Sequence, residues 1–318
     1  MIIVTQNHNQ NDIITLMLWL ILCIIAALTW SVSAFIDNYQ TDVIFKGKTP
    51  QAMKVLNGPV YILISVAVGI IMQIPIPEFA QIGLLMLSGA LSSVGALAYY
   101  QALENEEATG AAIFYQLQPV LFLIVDFLIF GETITPQQIL GFVIILMAPI
   151  IVVFSRKRAK SRRMAMHAAL LLILYVIIAT ASAEIAVRSS ASIDYRSVFV
   201  FYLFGRGFTD CLLGLIPKYR KRHKYILKRS PKAYVGTVVL NQCLCAFADF
   251  VYRYGLVIGV AALGSAVTNA AELILTFVLG IILSIVWPNF GREKLHRHLV
   301  IAHIVAVILC VIGIIVIQ

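Results

Sequence analysis

Long apolar runs separated by short polar or basic segments set the pattern of this chain. Ten runs approach or exceed the roughly 20 residues that an α-helix needs to cross a bilayer. They cover residues 13–35, 57–74, 79–103, 108–130, 136–154, 167–187, 197–216, 233–252, 260–287 and 299–317. The expected fold is therefore all-α and integral to the membrane, with ten transmembrane helices. Pro136 suits a first helical turn, where its missing N–H would be unpaired anyway. Pro119 falls in mid-run, where it frees a carbonyl that lipid cannot satisfy, so a neighbouring helix, side chain or water must supply a donor.

Composition agrees. Hydrophobic residues make up 61% of the chain and charged residues 12%, with a mean hydropathy of +0.93, whereas a soluble domain carries about a quarter charged residues. The net charge of +9 does not point to nucleic acid, because the basic residues lie between apolar runs; the lipid bilayer is the expected partner. The five cysteines all fall inside apolar runs and show neither a disulfide framework nor zinc spacing. Ser31-Val32-Ser33-Ala34 resembles a signal-cleavage site, but the run before it is long and residues 1–12 carry no Lys or Arg, so this is a retained first helix.

Twenty of the 24 Lys and Arg residues fall in the segments after the first, fifth, seventh and ninth runs. An even helix count puts those segments on one side. The positive-inside rule makes that side cytoplasmic and leaves both termini outside. The basic run Arg156–Arg163 divides the chain into two five-helix units, 1–155 and 164–318. Because five is odd, a second unit that repeats the first must enter the membrane the other way up. Residues 25–30 can be laid over 177–182, and Tyr100 over Tyr252, which brings Pro119 close to Ala271 and Glu272.

The stretch 99–153 carries a small-residue segment (Ala108-Thr109-Gly110-Ala111-Ala112), Pro119, a Gly131-Glu132 pair at a helix end and an early Gly141 in the next helix. In order and spacing it resembles the EamA-type repeat of the drug/metabolite transporter superfamily. The resemblance implies a ten-helix carrier for a small solute, and it implies cytoplasmic termini, against the loop charges. The second half departs from the pattern: the ninth run ends in Trp287-Pro288-Asn289-Phe290-Gly291-Arg292-Glu293 instead of a Gly-Glu turn. Trp30 is followed by Ser31 where the family commonly has Gly.

Ionisable side chains within hydrocarbon are costly and need a partner or a water-filled cavity. Three acid/base pairs stand four apart, Glu184 with Arg188, Arg206 with Asp210, and Asp249 with Arg253, a spacing that shares a helix face. They either cancel in place or line a polar cavity whose guanidiniums hold an anionic group. Glu272 has no basic residue at helical spacing, which makes it the candidate proton-coupling group, with Arg206 at similar depth as its alternative partner. Asp126 is a weaker candidate of the same kind. Among neutral groups, Gln116, Pro119, Asn241 and Asn269 are candidate solute contacts, as are Glu184 and Arg206. Trp30, Tyr99, Tyr100, Tyr115 and Tyr252 suit either aromatic walls or interface anchors, the second being the commoner use.

No Ser-His-Asp order, Gly-rich phosphate loop or HExxH motif is present, so neither an enzyme nor a cofactor is expected. His296, His298 and His303 near Glu293 are off-register for a shared metal face. The resulting expectation is a secondary active transporter or exporter of a small metabolite in a bacterial-type cytoplasmic membrane, working by alternating access and coupled to protons. The alternative is a non-transporting membrane protein, a lipid-processing partner or regulatory subunit, that keeps the transporter fold.

Overall fold

The computed structural model describes the backbone of residues 10–46, 48–104, 108–130, 135–155, 159–259, 261–287 and 297–317. The Gly131-Glu132 turn, His296, and the side chains of Asp126 and His298 lie outside what is described. Among the described residues the chain is helical throughout, without strands. The first helices are α1 (Gln10–Tyr39), which continues through a π-helical turn to Ile44, then α2 (Lys54–Ile71) and α3 (Phe79–Ala102). The next four are α4 (Ala108–Tyr115), α5 (Leu117–Phe130), α6 (Pro136–Phe154) and α7 (Ala159–Ser189). The last five are α8 (Tyr195–Leu213), α9 (Pro217–Arg229), α10 (Pro231–Ile258), α11 (Ala261–Val286) and α12 (Arg297–Ile317).

Among the described residues, six helices are long and apolar enough to cross a membrane, or seven if the bent pair α8 and α9 is one span. Shorter apolar helices cover Gly110–Val125, Pro136–Ala148 and Val300–Gly313.

Helix starts follow local chemistry. Glu78 and Gln81 close a capping box at α3, the Glu78 amide donating to Gln81 Oε1 at 3.1 Å. Thr135 and Gln138 do the same before Pro136, with the two backbone amides donating at 2.8 and 3.2 Å. Asp194 caps α8 by accepting the Arg196 amide. The Arg196 guanidinium hydrogen-bonded to that exposed carboxylate also holds Asp194 below the usual carboxylate range.

Two expectations are corrected here. The run 108–130 is not one helix: it breaks at Gln116 into α4 and α5. Pro119 cannot donate to the carbonyl of Tyr115, four residues back, and that carbonyl instead accepts from Asn269 Nδ2 at 2.8 Å. The donor demanded by Pro119 thus comes from α11.

The segment 217–229, read as a loop, is the helix α9. Pro217 fits its first position, and its many Lys and Arg residues are good helix formers. Buried Ile226 seats it on Tyr234 and its neighbours. It leaves α8 at 92°. Its Arg222 donates to the carbonyls of Phe45 and Lys48, bracing a turn in which Lys46 and Thr49 both take positive φ.

Helix pairing is dominated by α2 with α8, α3 with α7 and α8, α1 with α10 and α11, and α6 with α12, while α4 and α5 both lean on α11. Glycines permit the closest of these approaches. A Cβ on Gly89 of α3 would lie 2.0 Å from the Tyr202 carbonyl oxygen, and one on Gly58 of α2 would lie 2.7 Å from the Cys211 amide nitrogen, both on α8.

Candidate functional site

One face of α1 presents Trp30, Ser33 and Asp37 at spacings of three and four, so all three point the same way. They form part of the wall of a central cavity of about 120 Å³. One water takes roughly 10–15 Å³ on the same measure, so the cavity has room for several waters or a small solute. The opposing walls come from α3 (Ser92, Tyr99, Tyr100), the α4–α5 break (Tyr115, Gln118), α7 (Tyr175), α8 (Tyr202, Arg206), α10 (Cys245, Asp249, Tyr252, Arg253) and α11 (Asn269, Glu272).

The charges are arranged differently from the expected four-apart pairs. Only Glu184 and Arg188 pair as expected, at 3.3 Å. Arg206 bonds across to Asp249 on α10 at 2.5 Å instead of to Asp210 on its own helix. Tyr202 donates to the same Asp249 oxygen at 3.0 Å, and the Arg206 guanidinium stacks on Tyr61 at 4.5 Å.

Asp210 is taken by Lys54 at 2.9 Å, with both side chains buried, and also accepts from Ser93. Lys54, counted above among the cytoplasmic loop charges, is therefore a buried helical residue that ties α2 to α8. Arg253 has no ion pair with Asp249 among the described residues. It donates to the Ser182 carbonyl and hydroxyl, both at 3.3 Å, and lies 3.9 Å over the Tyr202 ring.

Two carboxylates remain. Glu272 is 4% exposed, and no ion pair or hydrogen bond to its side chain occurs among the described residues. The suggestion that Arg206 neutralises it does not hold, because that guanidinium is spent on Asp249. Asp37, 5% exposed, is held among the described residues by neutral donors: Asn241 Nδ2 at 2.8 Å, the Tyr99 hydroxyl at 3.3 Å and the Tyr100 hydroxyl.

The sequence reading ended the first helix at Phe35 and passed over Asp37. The signal was the polar stripe Ser33–Asp37–Gln40–Thr41, spaced four, three and one apart, which extends the helical face. Tyr175 and Tyr202 were also missed, because a lone tyrosine in an apolar run carries no distinguishing pattern.

Of the candidate solute contacts, Arg206 and Asn269 face the cavity. Asn241 sits behind Asp37 and holds it. Gln116 is fully buried beside the α4–α5 break and donates to the Asn269 carbonyl at 2.7 Å, so Gln116, Pro119 and Asn269 form one crossing between the break and α11. Glu184 is outside the cavity wall.

Trp30, Tyr99, Tyr100, Tyr115 and Tyr252 all line the cavity, which overturns their use as interface anchors. Trp30 meets Tyr252 edge to face at 4.8 Å. Tyr99, Tyr115 and Tyr175 form a triangle with centroids 5.4–6.3 Å apart.

No curated protein matches the sequence. Among solved structures, one crystal structure of a protein superposes with a TM-score of 0.61 at 17% identity, over 94% of this chain and 94% of its own; at that identity the likeness speaks for the fold alone. Residues 17–154 match the model of the EamA-like transporter family, enclosing the stretch 99–153. The apolar helices and this match together make the chain an integral membrane protein that is similar, over residues 17–154, to the EamA-like transporter family.

Proposed function

We propose that the chain is a secondary active transporter of a small metabolite, working by alternating access in a bacterial-type cytoplasmic membrane and coupled to protons through Glu272. The observation that carries this reading is the central cavity. It is walled by both halves of the chain and holds a buried carboxylate without a counter-charge among the described residues. In an apolar interior such a group gains from binding a proton and releases it when the surroundings open to water.

Ten crossings in two inverted five-helix units, 1–155 and 164–318, complete the reading. This reading counts as its passes the six long helices, the bent pair α8 and α9, the broken helix α4–α5, and α6 and α12. The pairings also exchange under a shift of five passes: α3 with α7 maps onto α10 with α1, while α2 with α8 and α6 with α12 map onto themselves.

Proteoliposomes test it. Glu272→Gln is expected to lose movement driven by a pH gradient while keeping solute exchange. Unchanged pH-driven movement in that variant removes Glu272 from the mechanism.

A second reading, a non-transporting protein that has kept the fold, draws on the family match ending at residue 154. Wild-type vesicles that exchange no small solute, together with a lipid or protein that copurifies in fixed ratio, would favour it.

A further inference from the structure

Once its pairs are cancelled, the wall of the cavity is negative whenever Glu272 has released its proton. Arg206 and Asp249 neutralise each other, and behind Tyr100 so do Lys54 and Asp210. Asp37 and Glu272 then stand against Arg253 alone. Arg253 is already engaged by Ser182 and by the face of Tyr202. An anionic solute would meet two carboxylates and one guanidinium, Arg253, which its neutral partners, Ser182 and Tyr202, already hold.

We infer that the cavity selects a small organic cation, an amine or quaternary ammonium, with Asp37 as its counter-charge and the tyrosine wall as its bed. This rests on the transport reading of the same cavity. Asp37 is held in place by neutral donors that fix its position without cancelling its charge. The Tyr99 that donates to it is a corner of the Tyr99–Tyr115–Tyr175 triangle. A carboxylate beside clustered aromatic rings attracts a weakly hydrated cation by charge and by ring quadrupole together. A bare alkali ion, by contrast, needs a shell of oxygens in place of its water. Arg206 over Tyr61 and Arg253 over Tyr202 already show rings of this region bearing cations.

The test uses the purified full-length protein in nanodiscs and three probes that share a benzyl or phenyl group: benzyltrimethylammonium, benzoate and phenylalanine. Binding is followed by tryptophan fluorescence and by melting temperature. Benzyltrimethylammonium is expected to bind about tenfold or more tighter than either of the others, the equivalent of one well-placed charge or ring contact. Asp37→Asn should remove that preference. Tyr175→Phe should keep it and Tyr175→Leu weaken it, because a ring face and not a hydroxyl is at work; the Tyr175 pair keeps the test decisive if Asp37→Asn fails to fold.

Tighter binding of benzoate or phenylalanine, binding of none of the three, or an unchanged preference in Asp37→Asn overturns the inference. Vesicle assays separate it from the transport reading. Movement of benzoate or phenylalanine keeps the transporter and discards the cation class. Binding of benzyltrimethylammonium without movement keeps the cation class and discards the transporter.

Discussion

Gly83 and Gly89 lie on the same helix, α3, and their replacement by alanine should have opposite consequences. A Cβ on Gly83 meets nothing within 4 Å, whereas one on Gly89 would stand 2.0 Å from the Tyr202 carbonyl oxygen and 2.5 Å from the Arg206 amide nitrogen. Both atoms are backbone and cannot rotate away. Ordinary contact begins near 3.4 Å, so α3 and α8 must part by about 1.4 Å to admit one methyl group.

Overpacking of this kind costs about 1–3 kcal/mol. At a few degrees per kcal/mol, this corresponds to a melting temperature roughly 2–8 °C lower. Gly83→Ala should instead leave stability unchanged or raise it by up to about 1 kcal/mol through helix propensity. The clash falls beside Arg206, whose bond to Asp249 is 2.5 Å long, so the same displacement pulls that pair toward the limit of contact and should impair the cavity as well. Thermal unfolding of both variants in the same nanodiscs is the assay. Equal melting temperatures for Gly83→Ala and Gly89→Ala would show that α8 is not pressed against α3, and the position assigned to Arg206 would fall with it.

Lys54→Met strands Asp210 in a buried site and should cost about 3–5 kcal/mol, with most of it recovered in the Lys54→Met/Asp210→Asn double variant; failure of the second change to restore the melting temperature would refute the pairing. Asn269→Ala leaves the Tyr115 carbonyl without its donor, whereas Pro119→Ala lets the chain supply its own, so a double-mutant cycle should give a coupling of about 0.5–2 kcal/mol. Additive effects would mean that Asn269 is not repairing the proline break.

Membrane insertion and all-helical architecture were legible in the sequence, because in lipid a run of apolar side chains and an internally bonded backbone impose each other. The similarity of residues 17–154 to the EamA-like family could be read for the same reason that Pro119 could: proline and glycine act on their own backbone, so their consequences are local. Pro119 even announced that a donor must come from elsewhere.

Which side chain would answer was decided by tertiary structure, as were the ion pairs. Spacing offered Arg206 to Asp210 and Arg253 to Asp249, but α8 crosses α2, α3 and α10 closely enough that Lys54 and Asp249 reach those charges from other helices. The aromatic residues went the same way. A tyrosine in an apolar run looks alike whether it faces lipid headgroups or a cavity, and only the assembly of α1, α3, α7 and α10 turned those rings inward around Asp37. Periodicity along one helix fixes which residues share a face, while the packing of helices distant in sequence fixes what that face meets.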